Sequence, residues 1–145
     1  MLELGLKVFI SYLIGSLNGS LIIGRMSGVD IRAVGSGNAG GTNALRTQGK
    51  MFAFWVVLID VGKGSLPIWL LPALSLPWFG PDPEISRDWL TYAIGGAAIV
   101  GHCYPVWFRF AGGKGAATAI GALLVIAPLL LLPAGIIWFL VLSIS

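Results

Sequence analysis

Four long apolar stretches dominate this sequence, each near or above the roughly 20 residues a helix needs to cross a bilayer. They cover residues 4–24, 51–76, 89–108 and 115–145, and they leave little material for a soluble fold. Charged residues make up 10% of the 145-residue chain, where an average soluble domain carries about 25%. The mean hydropathy is +0.90. The expected fold class is therefore all-α: one domain over residues 1–145, built as a polytopic integral membrane bundle with four or five transmembrane helices. The first stretch reads as a retained helix and not a cleaved signal, because Glu3 and Lys7 cancel before it and no small-x-small site leads into a polar region. The last runs uncharged for 31 residues. It is either one helix kinked at Pro128 and Pro133 or two short helices with an apolar turn between the prolines.

Three loops separate the stretches. The first, residues 25–50, carries Arg25, Arg32, Arg46 and Lys50 against Asp30 alone. The second, residues 77–88, is proline-rich and mostly acidic, and the third, residues 109–114, is basic. Short loops rich in Lys and Arg stay in the cytoplasm. This bias places the first and third loops inside and the second loop and the N-terminus outside. Whatever the orientation, two helices lie between the first and third loops, so both open on one face. The single cysteine, Cys103, excludes an internal disulfide. No basic run with interleaved aromatics points to nucleic acid.

The two inward loops hold the sequence's dense glycine: residues 35–43 (GSGNAGGTN) followed by Arg46, and Gly112-Gly113-Lys114-Gly115. Residues 35–40 spell G-x-G-x-x-G, but no buried strand precedes them and the helix that follows enters the membrane, so the dinucleotide reading fails. The second loop is not a Walker A loop either, since Gly115 stands where Ser or Thr would hold magnesium. A general phosphate cradle survives. Gly35, Gly37, Gly40, Gly112, Gly113 and Gly115 permit close backbone approach, and Ser36, Asn38, Thr42 and Asn43 add short polar groups. Arg46 can grip a phosphate with two donors, and Lys114 supplies a point charge. Arg25, Arg32 and Arg109 read instead as topology determinants. Neither a metal site nor a cofactor is expected.

Other polar residues have plainer readings. Asp60 and Lys63, three apart on one helical face, can neutralise each other, reading as a pair that holds helices together or, alternatively, as a catalytic dyad. His102 could serve as a base near neutral pH or as a hydrogen-bonded structural residue. Ser11, Gly15, Asn18 and Gly19 form a stripe for close helix packing. Trp78, Trp89, Tyr104 and Trp107 fall near the ends of the apolar stretches and read as interface residues.

Residues 35–50 (GSGNAGGTNALRTQGK) resemble the first motif of the bacterial acyl-phosphate:glycerol-3-phosphate acyltransferase family, and residues 101–118 (GHCYPVWFRFAGGKGAAT) resemble its second. Residues 60–64 (DVGKG) match a D-x-x-K-G element between them. The resemblance implies a multi-pass enzyme of the bacterial cytoplasmic membrane that transfers a fatty acyl group from acyl-phosphate to the 1-hydroxyl of glycerol 3-phosphate in phospholipid synthesis. It implies Ser36, Arg46 and Lys114 as catalytic residues. The motif glycines, Asn38, Thr42, Asn43 and His102 would bind substrate or phosphate. The implied partners are the two substrates, membrane lipids and the enzyme that supplies acyl-phosphate. Family members continue into further helices and a third motif of the form H-x-x-N followed by G-x-E, so a C-terminally truncated chain is expected. Rival readings are a transporter of phosphate or phosphate esters and a non-catalytic fragment.

Overall fold

A computed structural model describes residues 1–76 and 81–144. The described residues form seven α-helices: α1 (Leu2–Gly15), α2 (Gly19–Met26), α3 (Gly41–Gln48), α4 (Lys50–Leu70), α5 (Arg87–Cys103), α6 (Ala116–Ile126) and α7 (Leu131–Ile144). Short 3-10 turns sit at Ile31–Ala33, Val106–Phe108 and Pro128–Leu130. The all-helical expectation holds among these residues.

Long side chains face outward and polar ones inward. Phe54, Trp55, Leu58 and Trp69 on α4 are exposed, while Lys7, Ser11, Asn18, Asp60, Lys63, His102 and Thr118 are buried. Water would drive the opposite arrangement, and a surface this apolar needs a non-aqueous environment or a partner. The helices touch through small residues. A Cβ at Gly15 or Gly101 would run into backbone across the α1–α5 contact, and one at Gly64 or Gly121 would do so between α4 and α6. Backbones that close gain dispersion contact along their length, the usual adhesive between helices that share apolar surroundings.

The contacts fix helix direction. Glu3 meets Arg87, Ser11 meets Ile94 and Gly15 meets Ala98, so α1 and α5 run parallel. Val61 lies against Gly121 and Gly64 against Thr118, so α4 and α6 run antiparallel. The loop between α2 and α4 and the loop between α5 and α6 therefore emerge at one end of the bundle.

Several boundaries differ from the sequence reading. The first apolar stretch is not one helix: it breaks after Gly15 and bends by 44° into α2. Asn18 causes the restart, its side chain accepting from Leu21 N–H as the cap of α2. The second stretch ends as a helix at Leu70, just after Pro67. The third ends at Cys103, before Pro105. Past residue 115 the two-helix alternative is found, with Pro128 opening the 3-10 turn and Pro133 in the first turn of α7. Residues 41–48 form a helix where a loop is expected. Only α4 is by itself long and apolar enough to cross a bilayer among the described residues, or two spans if α1 and α2 count together. That is fewer than four or five. Trp89, Tyr104 and Trp107 are exposed near helix ends. Trp78 lies outside the described residues.

Two apolar clusters fill the interior. Leu21, Ile31, Ala39, Ala44, Ala53 and Val56 pack under the glycine-rich loops. Ile68, Leu71, Leu90, Ile94 and Ala122 pack toward the other end. Along α4, Asp60 and Lys63 fall between them.

Candidate active site at the glycine-loop end

The first glycine loop is shaped by Asn43. From the first turn of α3, its Oδ1 accepts Ser36 N–H at 2.9 Å, and its Nδ2 donates to the Ile31 and Val34 carbonyls at 3.0 Å each. All this takes place at 2% exposure. Asn43 therefore holds the loop that carries Ser36, and its amide is already in use. Gly35 is required beside it: its φ of +59° suits glycine, and a Cβ there would collide with the Asn43 side chain.

Arg32 buckles this loop to the next. Its guanidinium grips Asp30 with Nε and Nη2, each at 3.0 Å, and Nη1 donates to the Phe108 and Ala111 carbonyls at 3.3 Å. The Arg32 donors hold the Asp30 carboxyl below its usual range, and Asp30 raises Arg32 in turn. So Arg32 is more than a topology marker. A cleft of about 380 Å³ opens beside this pair, with Arg25, Asp30, Arg32 and Phe108 in its wall. Ser36, Arg46 and Lys114 lie elsewhere.

The second loop doubles back on the end of α5. Gly112 N–H donates to the Cys103 carbonyl and Gly113 N–H to the His102 carbonyl, each at 3.2 Å. Arg109 and Phe110 both take positive φ, 57° and 58°, to complete the reversal. Such backbone costs on the order of 1–3 kcal/mol per residue and persists where its surroundings dictate it. Gly115, at φ +80°, then turns the chain into α6.

The amides of Ser36, Gly37, Gly40, Gly112 and Gly113 are thus spent within the loops, on Asn43, Val34, Asn38, Cys103 and His102 respectively. These glycines supply closeness more than donors. N–H groups without a side-chain cap remain where the loops become helices. Neither α3, entered from Gly40, nor α6, entered from Gly115, has a side-chain cap. An uncapped helix start presents several N–H groups and the positive end of the helix dipole.

Ser36, Thr42, Arg46 and Lys114 are exposed at this end, while Asn38 is half-buried. Among the described residues, Arg25, Arg46, Lys50, Arg109 and Lys114 form no ion pair and no side-chain hydrogen bond. The sequence places all five in or beside the two loops. His102 is different. It is 2% exposed, its Nδ1 faces Asp60 Oδ1 at 3.5 Å, and a Cβ on Gly113 would strike its Nε2.

The Asp60–Lys63 pair, 2.9 Å apart and buried, has a use that spacing did not reveal. Asp60 Oδ1 accepts Gly19 N–H at 2.9 Å, and Lys63 Nζ donates to the Leu17 carbonyl at 3.1 Å. These are backbone groups orphaned by the break between α1 and α2. The pair satisfies both sides of that break, where water would otherwise be needed.

The profile of a family described as glycerol-3-phosphate acyltransferase matches residues 6–145. The chain belongs to that family. It is 44% identical over 130 residues to a glycerol-3-phosphate acyltransferase of Albidiferax ferrireducens, covering 89% of this chain and 55% of the relative. It is 43% identical over 141 residues to one from Pseudomonas aeruginosa, covering 97% and 69%. Its fold is similar to a crystal structure of PlsY, an integral membrane glycerol 3-phosphate acyltransferase, in the glycerol 3-phosphate form. The TM-score is 0.78 at 36% identity, over 95% of this chain and 64% of that one. The lysophosphatidic acid form of PlsY gives a TM-score of 0.73, over 93% and 62%. The chain thus spans 55% of the Albidiferax relative and under two thirds of the PlsY chain.

Proposed function

We propose that this chain carries the phosphate-holding part of a membrane enzyme that transfers a fatty acyl group from acyl-phosphate to the 1-hydroxyl of sn-glycerol 3-phosphate. The products are lysophosphatidic acid and inorganic phosphate. One observation carries the reading. Two glycine loops, each opening into an uncapped helix, pack against one another in a chain of this family, with Arg46 and Lys114 beside them unpaired among the described residues.

The membrane part of the proposal rests on the inverted surface. Exposed Trp, Phe and Leu side chains on α1 and α4 to α7 suit hydrocarbon and are unfavourable in water. We assign α4 as one span and the bent α1–α2 pair, α5 and the α6–α7 segment as further spans of a single multi-pass domain in the bacterial cytoplasmic membrane. The positive loops then lie in the cytoplasm and the N-terminus outside. Phospholipid synthesis draws both substrates from that side, which also favours contact with the enzyme that makes acyl-phosphate.

In the transfer, the 1-hydroxyl oxygen forms a bond to the acyl carbon. The bond from that carbon to the phosphate oxygen breaks, and its electron pair leaves on phosphate. No base adjoins Ser36 among its hydrogen-bond partners, so we assign the hydroxyl proton to a substrate phosphate oxygen. Arg46 and Lys114 hold the two phosphates and stabilise charge on the carbonyl oxygen and leaving group. Ser36 hydrogen-bonds substrate from the end of the loop that Asn43 holds. Thr42 and the first amides of α3 and α6 complete the cradle.

The test is acyl transfer from palmitoyl-phosphate to radiolabelled glycerol 3-phosphate in lipid nanodiscs. Arg46→Ala and Lys114→Ala should each reduce it by about 100-fold or more, leaving a measurable residual rate, and full activity in both variants would refute their roles.

A further inference from the structure

His102 is a buried group that the transfer chemistry leaves unused, and its position suggests another task. It sits where three parts of the molecule meet. Its Nδ1 faces the Asp60 carboxylate that also holds the α1–α2 break. Its carbonyl accepts Gly113 N–H at 3.2 Å, and its ring packs so closely on Gly113 that no Cβ fits there. The same Cβ would stand 2.6 Å from the Ala39 carbonyl of the first glycine loop. That same carbonyl accepts from Asn18 Nδ2 at 3.4 Å, and Asn18 caps α2. A chain of direct contacts therefore runs from Asp60 through His102 and Gly113 to Ala39, and back through Asn18 to the helix break.

A ligand role for His102 conflicts with this placement. Nδ1 looks into the bundle toward Asp60, and Nε2 lies over Gly113 in a residue only 2% exposed. We propose that His102 is a positioning residue, seated beside the Asp60 carboxylate and in turn holding the Gly112-Gly113-Lys114 turn against Ala39. Lys114, one residue beyond Gly113, then stands at a set place relative to Ser36 and Arg46. This inference rests on the reading of Lys114 as a phosphate-holding residue. The consequence is that His102 acts on substrate only through the loop, without touching it.

Two measurements in lipid nanodiscs test this. The first is amide hydrogen exchange of residues 109–115, which needs no catalysis. His102→Ala should speed exchange there by about tenfold while leaving the α1–α5 contact at Ser11 and Ile94 protected. His102→Asn keeps a polar group near the position of Nδ1 and should restore part of the protection. It also guards against a variant that fails to fold. The second is a kinetic cycle. His102→Ala should raise KM for glycerol 3-phosphate by about tenfold with kcat changed less than about threefold, and in a Lys114→Ala background the same substitution should cost less than about twofold. Unchanged loop exchange in both His102 variants would overturn the proposal. So would costs that simply multiply in the double variant, because His102 would then act independently of Lys114. Should the wild-type chain neither bind nor acylate glycerol 3-phosphate, the functional reading falls, and the exchange result still decides the role of His102.

Discussion

The two ends of this bundle handle charge in opposite ways. At the end formed by the start of α1, the end of α4 and the start of α5, the buried charges are matched, and Glu84 and Asp88 are left exposed at the rim without an ion pair among the described residues. Glu3 accepts from Lys7 and Arg87, each at 2.8 Å, and from Asp82 N–H at 2.8 Å. Lys7 also reaches the Pro72 carbonyl, and the N-terminal amine pairs with Asp82. At the glycine-loop end Arg32 is paired with Asp30, but Arg25, Arg46, Lys50, Arg109 and Lys114 are not paired among the described residues. One end pairs its buried charges internally. The other leaves positive charge and two helix starts for something else to complete. We read the first as a clamp and propose the second as the phosphate site.

Substitutions should separate the two ends. The largest effect is expected at the open end: Lys114→Ala or Arg46→Ala should reduce acyl transfer by about 100-fold or more, the usual scale for losing one stabilising donor. Because both side chains are exposed, thermal unfolding in nanodiscs should move little. Glu3→Gln should do the reverse. It leaves Lys7 buried without its carboxylate partner, at a cost of about 3 kcal/mol, with activity of the folded fraction preserved. Unfolding monitored alongside transfer rate would show whether the two effects part in this way.

Helix packing offers a smaller contrast. Gly121→Ala forces α6 away from the Val61 carbonyl and should destabilise by about 1–3 kcal/mol. Gly135→Ala on α7 meets open space and should be neutral or stabilising by up to about 1 kcal/mol. The smallest effect is expected from the loop buckle. Asp30 titrates below its unfolded value because Arg32 holds it charged. Its contribution is therefore present above the unfolded carboxylate pKa and lost as pH falls through the folded value. Exposure of the pair keeps it small. Hydrogen exchange of residues 29–37 should differ between wild type and Asp30→Asn near neutral pH, and the difference should vanish in acid.

Much of the bundle could be read from the chain. The pairing of the two glycine loops followed from counting helices, since two helices between them return the chain to the same end. The Asp60–Lys63 pair followed from a spacing of three on a helix. The break at residues 16–18 did not, because hydropathy continues across it. Asn18 was visible there as a small polar residue, but capping and packing give the same sequence signal. The α3 helix was hidden by the glycines at both its ends. The part of His102 was beyond reach for another reason: its partners come from α4 and from two loops, and only tertiary packing brings them together. The glycine amides teach a related lesson. Sequence shows that a backbone can approach closely, but not which carbonyl has already taken its N–H.

The most direct test of the contrast between the ends is equilibrium binding of glycerol 3-phosphate to the chain in lipid nanodiscs, without acyl donor. Wild type and folded Glu3→Gln should bind within about twofold of each other, and Arg46→Ala should bind at least about tenfold more weakly, the loss expected for one charge-assisted phosphate contact. Full binding by Arg46→Ala, together with loss of binding in folded Glu3→Gln, would contradict the assignment of phosphate to the glycine-loop end.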